Sequence, residues 1–216
     1  MSDTAVSLSR VWTEHQTSAR LALVGAGCGL AWSCALRGWM TAIAGPESTV
    51  TWAGTFGGVL APATAVGGLL GWAEARRRAG RPPSGWLVAS PLLLGLAPLA
   101  VPGVLDSLLT TGEGSGALGM VALAMLAGSS MSGRGSRRRR IVAGVLGFAA
   151  VPAWWLAPPM TPDLDPTTPH GALVAATFTA LFVGLAAACA VPMRAPGEAV
   201  STASLGEVTD VGERPD

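Results

Sequence analysis

Thirteen of the fourteen arginines in this chain are confined to the gaps between long apolar stretches, and that segregation constrains the fold more than any other feature. All 14 basic residues are arginine, and thirteen of them fall into a few short segments: Arg10 and Arg20; Arg76, Arg77, Arg78 and Arg81; Arg134 and Arg137 to Arg140; Arg194 and Arg214. Between these segments lie windows of ~20 mostly apolar residues, the length that crosses a hydrocarbon core of ~30 Å at ~1.5 Å per residue. Six windows are predicted as membrane helices: 21–40, 50–73, 86–105, 116–131, 141–157 and 171–191, of which the fourth and fifth are short. With 50% hydrophobic and only 12% charged residues, the chain is too apolar for an ordinary soluble domain. The expected fold class is an all-α, polytopic transmembrane bundle.

Loop charge predicts the orientation, because short loops that stay in the cytoplasm keep their arginines while translocated loops are depleted in them. Only Arg37 lies on the second side of the predicted topology, whereas Glu47, Asp106, Glu113, Asp163 and Asp165 all belong to that side's loops. Both termini are therefore expected in the cytoplasm, with residues 1–20 as an N-terminal segment, 21–192 as the six-span domain, and 193–216 as a polar, disordered tail. An odd number of spans would place one Arg-rich loop on the translocated side. Ala42-Ile43-Ala44 has the small-residue character of a signal cleavage site, but Arg37 and Trp39 precede it, and the first helix is expected to be retained. The absence of Lys, Asn and Tyr and the presence of only Ile43 and Ile141 suggest a GC-rich genome such as an actinobacterium's, and hence a bacterial plasma membrane.

No Asp, Glu, Lys, Arg or His falls deep within the predicted spans; Arg37, Glu74 and Asp106 lie near their ends. Proton relays, ion coupling and voltage sensing place ionisable groups in the membrane interior, so the sequence argues against those mechanisms. Pro62, Pro91, Pro98 and Pro102 are expected to kink the second and third spans. Cys28, Cys34 and Cys189 lie in apolar segments without paired spacing and read as small packing residues, not as a disulfide framework. No phosphate-loop or dinucleotide signature occurs, so no cofactor is expected. The arginine clusters lack aromatic interleaving and read as topology determinants, not as a nucleic-acid surface. Glu74 stands three and four residues before Arg77 and Arg78 and is expected to pair with both. Glycines four apart, Gly25/Gly29, Gly54/Gly58 and Gly67/Gly71, are expected to pack helices inside the bundle, with a homo-oligomer or membrane-protein partner as the alternative use.

The densest polar and aromatic constellation is Arg37-Gly38-Trp39-Met40 with Glu47, Thr51-Trp52 and Gly54-Thr55. It proposes a ligand-binding group of Arg37, Trp39, Glu47 and Trp52 on the outer face, in which Arg37 and Glu47 pair across the first hairpin and the tryptophans sit at headgroup level. The R-x-W-M segment, the acidic residue and the [ST]-W-x-G-T segment resemble a pattern in uncharacterised bacterial multi-pass membrane proteins; the resemblance covers residues 37–55 and implies no activity. The expected function is a non-enzymatic membrane component that binds or scaffolds a partner, a lipid or a small molecule. A small-solute channel or transporter is one alternative, on the strength of the prolines. An intramembrane hydrolase is another: Gly114-Ser115-Gly116-Ala117 and His170-Gly171 resemble the serine and histidine placement of rhomboid proteases. The chain departs from that family at Glu113, where a glycine is expected, in placing His170 directly after a proline, and in lacking any asparagine or a histidine in the second span. Asp163, Asp165 and His170 have no metal-ligand spacing, and no metal site is expected.

Overall fold

The computed structural model describes residues 2–82, 84–110, 115–156 and 162–196. All regular structure among them is helical: α1 (Ser2–Ala44), a π-helical segment (Trp52–Leu60) that runs into α2 (Ala61–Arg78), α3 (Gly85–Ala89), α4 (Leu92–Leu96), α5 (Val104–Thr110), α6 (Ser115–Met131), α7 (Arg137–Phe148), α8 (Ala150–Leu156) and α9 (Pro169–Ala190). Three stretches, Gln16–Ala44, Trp52–Arg78 and Pro169–Met193, are long and apolar enough to cross a membrane. A fourth is available if the bent pair Leu92–Ala100 and Val104–Thr110 counts as one span.

The first two helices touch backbone to backbone. A Cβ on Gly25 would overlap the Gly67 carbonyl oxygen, one on Gly67 would overlap the Gly25 carbonyl, and Gly29 and Gly71 stand in the same way against the carbonyls of Ala63 and Leu21. In each of these pairs the residue numbers add to the same total, which is the signature of two antiparallel helices in fixed register. Small residues are what allow this, since lipid provides no hydrophobic drive and close van der Waals contact has to hold the helices together.

α9 is the central helix, with half of its apolar window buried. Its neighbours are α1 on one side and α6 on the other. At the α6 contact, Ala124 and Ala127 pack with Phe182, Leu185, Ala186 and Cys189, and Gly128 admits the backbone of Ala186 and Ala190. The deepest residues of this contact are thus alanine, glycine and cysteine, while Leu23, Val24, Val145, Leu156 and Leu173 elsewhere are 63–83% exposed. Small residues inside and large apolar ones outside suit a solvent of lipid, not water. Cys189 fits the packing role expected of all three cysteines, but Cys28 and Cys34 are exposed.

Proline breaks the predicted third span into pieces. Pro91 has no N–H to continue the ladder, and the Leu87 carbonyl it abandons is taken by the Ser90 hydroxyl at 2.8 Å and the Ser90 N–H at 3.3 Å. A 3-10 turn, Ala97–Ala100, carries Pro98, and at Val101-Pro102-Gly103 the chain turns by 111°, with Gly103 at φ +86°. Pro62 acts differently. The Ala61 N–H closes a π-type bond to the Phe56 carbonyl, and at Pro62 the missing donor lets the backbone change from π to α register. The predicted fifth span is likewise two helices, α7 and α8, interrupted at Ala149 three residues before Pro152. α6 has 17 residues, which at ~1.5 Å each gives ~25 Å, short of a full hydrocarbon core. At the N-terminal end α1 runs unbroken from Ser2 across the predicted boundary at 21. Of the predicted tail, 193–216, Met193 closes a 3-10 turn, Val191–Met193, and 197–216 lie outside the described residues.

The glycine contacts make a prediction. Gly67→Leu should destabilise the protein by about 1–3 kcal/mol or more through overpacking of the α1–α2 contact. Gly27, whose Cβ position is open, should accept alanine with no loss or a gain of up to ~1 kcal/mol. Thermal melts of the two variants in detergent, followed by circular dichroism, check both.

Candidate functional site

Arg37 lies on α1 in the same register that the glycines set, and its Nε reaches Thr55 Oγ1 at 3.4 Å. Its Nη1 donates to Thr41 Oγ1 at 3.1 Å and Ser48 Oγ at 3.0 Å, and its Nη2 donates to the Thr49 carbonyl. Four of the five N–H donors of the guanidinium are thereby engaged by protein oxygens. The side chain ties the end of α1 to the connecting loop and to the π-helical segment. Thr51 strengthens the same corner by capping that segment, accepting from the Gly54 N–H at 3.0 Å. Trp52 opens the segment, is 81% exposed, and stacks on Phe56 with ring centroids 4.6 Å apart. The side chain of Glu47 lies outside the described residues, and its backbone belongs to a short 3-10 turn, Gly45–Glu47.

Trp39 does not join this group. Two residues on from Arg37 it projects from another side of the helix, and its indole N–H donates to the Val174 carbonyl of α9 at 3.1 Å. Seven residues earlier Trp32 does the same to the Leu181 carbonyl at 3.0 Å. The two bonds form antiparallel rungs that dock α1 on α9, and Trp39 also packs on Trp154 and Phe178, with centroids 5.2 and 5.5 Å away. The predicted group of Arg37, Trp39, Glu47 and Trp52 therefore divides: Arg37 and Trp52 border one loop, while Trp39 serves the helix interface. The signal for this was present as a heptad spacing of tryptophans on one helix, which reads equally well as an interfacial belt.

His170 is exposed on the first turn of α9. The side chain of Ser115 lies outside the described residues, so the distance between the two is not defined. Asp165 is committed to its own loop. Its Oδ1 accepts from the Thr167 N–H at 2.8 Å and the Thr167 hydroxyl at 2.7 Å, and those bonds hold its carboxyl below the usual range. Thr168 then caps α9, accepting from the Gly171 N–H at 3.0 Å. No cluster of three metal-ligating side chains occurs among the described residues.

The arginines of the other end are brought together by the fold. Arg76 and Arg77 at the end of α2, Arg139 and Arg140 on α7, and Arg194 after α9 all border clefts around the Val191–Met193 turn. Glu74 forms a bidentate pair with Arg77, at 2.7 Å to both Nε and Nη2, and accepts from Arg78 Nε at 2.7 Å.

Trp39→Phe, which keeps an aromatic ring but deletes the indole N–H, should cost about 1 kcal/mol, and Trp39→Ala about 3–5 kcal/mol. Because the Asp165 carboxyl is depressed, its contribution is present above the ordinary carboxylate range near pH ~4 and is lost as pH falls through the depressed value. The difference in melting temperature between the parent and Asp165→Ala should be constant near neutrality and vanish in strong acid. No family model, curated protein or solved structure matches the chain.

Proposed function

We propose that this protein is a non-enzymatic component of a bacterial plasma membrane, crossing it six times with both termini in the cytoplasm, and that its outward end binds a membrane-protein partner. The crossings are α1, the π segment with α2, the broken stretch from α3 to Ala100, α6, α7 with α8, and α9. Positive charge gathered at one end of the bundle supports the orientation. The observation that carries the binding role is the Trp52–Phe56 stack, held out from a loop that the Arg37 hydrogen bonds immobilise. A rigid, exposed aromatic pair beside an ordered polar loop can dock on an apolar surface with little loss of conformational freedom. A small-solute pathway is the second reading, favoured by the 111° turn beside Pro102, which has the shape of a re-entrant segment.

Single cysteines placed on a background with Cys28, Cys34 and Cys189 replaced by alanine test the topology. Pro46→Cys and Asp163→Cys should react with a membrane-impermeant maleimide in intact cells, whereas Gly80→Cys and Gly135→Cys should react only after permeabilisation; the reverse pattern removes the proposed orientation. A photo-crosslinking residue at position 52 should capture a distinct membrane protein, and capture of lipid alone would remove the partner role. Solute uptake by proteoliposomes above the lipid background would favour the pathway instead.

A further inference from the structure

The arginine-rich end contains more than charge. Arg76, Arg77, Arg81 and Arg194, with Ser84, border a narrow recess of about 10 Å³, room for a single water, between the end of α2 and the turn that follows α9. Beside it, Arg134, Arg139 and Arg140 border a cleft of about 400 Å³ that also includes Ser129 and Ser132. Pro192 forms part of both walls, so the two recesses adjoin. No carboxylate is among the described residues of either wall. Glu74, the acidic neighbour on α2, is spent on Arg77 and Arg78.

Arg76 is the most telling member. Its guanidinium lies over the Trp72 ring, 5.5 Å from the centroid, and its Nε is buried with no hydrogen-bond partner among the described residues. A buried cationic donor left unpaired is costly, and an anionic oxygen brought beside this guanidinium would offset that cost. Arg37 shows the contrast, because its guanidinium meets four protein oxygens. In the larger cleft, Arg140 gives its Nε to the Ser130 carbonyl at 3.1 Å, its one side-chain bond among the described residues. The hydroxyls of Ser129 and Ser132 donate to backbone carbonyls at 2.6 and 2.7 Å, so recognition falls to the guanidinium forks.

We infer that the larger cleft binds a phosphate ester, with the arginines of the narrow recess flanking it, and that the ligand is the headgroup of an anionic phospholipid. The surface beside the arginines selects the lipid over a soluble phosphate. On α7, Ile141, Val142, Val145 and Leu146 follow Arg137–Arg140 directly and are all about half exposed or more, which offers acyl chains a bed in line with the headgroup. Trp86, exposed and paired with Trp72 at 5.4 Å, marks the headgroup level on the other flank. Basic pockets between membrane helices on the cytoplasmic side suit such headgroups. The site is at the opposite end from the proposed partner surface and does not depend on it.

The test uses the full chain released from micelles holding equal amounts of phosphatidylglycerol and phosphatidylcholine, with bound lipid counted by native mass spectrometry. The parent should retain phosphatidylglycerol about tenfold over phosphatidylcholine. Arg76→Gln with Arg139→Gln should bring retention close to parity. Arg78→Gln with Arg138→Gln, which removes the same charge from positions bordering neither recess, should leave it unchanged. Equal retention of both lipids by the parent, or equal loss in both double variants, would overturn the site, the second outcome reducing it to diffuse charge attraction. A melting-temperature rise with inorganic phosphate alone, and none with phosphatidylglycerol, would overturn the lipid assignment. If Arg76→Gln with Arg139→Gln does not fold, Arg76→Lys with Arg139→Lys keeps the charge and removes the planar forks; retention should drop severalfold, and unchanged retention overturns the proposal.

Discussion

Contact between the backbones of α1 and α2 is the constraint on which the rest of the structure rests. Gly25 and Gly29 meet Gly67, Gly71 and Ala63 with no room for a Cβ, so the two helices have one register available. That register carries on to the end of the hairpin, where it delivers Arg37 to Thr55 and hence to Ser48 and Thr49. The polar corner at this end of the hairpin is in this sense a product of glycines two to three turns away.

With α2 occupying one side of α1, another side is left for α9, and there the contact is chemical as well as steric. Trp32 and Trp39 donate to carbonyls that already accept within α9, a sharing that low-dielectric surroundings favour. Large rings at this interface and alanines at the α6 interface make α9 asymmetric, wide on its α1 side and narrow on its α6 side. The narrow side admits α6 through Gly128, and α7 in turn packs on α6 where Gly147 meets Ala127. Helix ends then converge on the turn at Val191–Met193, and the arginines that follow or precede those ends converge with them.

Proline decides where the bundle is irregular. Each of Pro62, Pro91, Pro98 and Pro102 withdraws one donor from the backbone, but the consequences differ with what lies nearby. At Pro91 a serine hydroxyl repairs the loss, at Pro62 the backbone changes helical register, and next to Pro102 a glycine with positive φ completes a reversal. Irregular backbone is tolerated at membrane depth where protein or water satisfies its polar groups. The broken third stretch packs against α6 through Gly95 and Leu118 and against the π segment through Gly58 and Val101.

The amino-acid sequence by itself determined the helical class, the apolar exterior, the pairing of Glu74 with Arg77 and Arg78, and the positions of the glycine contacts on α1 and α2. These follow from composition and short-range spacing, which act within one helix or one turn. Helix length was less legible, because a hydropathy window cannot tell a straight span from one that proline has divided, as at Pro91 and Pro152. Only the tertiary structure decided the fate of the polar and aromatic residues. Arg37 and Trp39 are two apart in the chain and were read as one group, yet on a helix they point in different directions, one to the loop and the other to α9. Arg76, Arg139 and Arg194 are far apart in the chain and were read as separate loop charges, yet the packing of α2, α7 and α9 draws them around one turn. Which residues share a site depends on how helices pack, and that packing depends on contacts between segments distant in sequence.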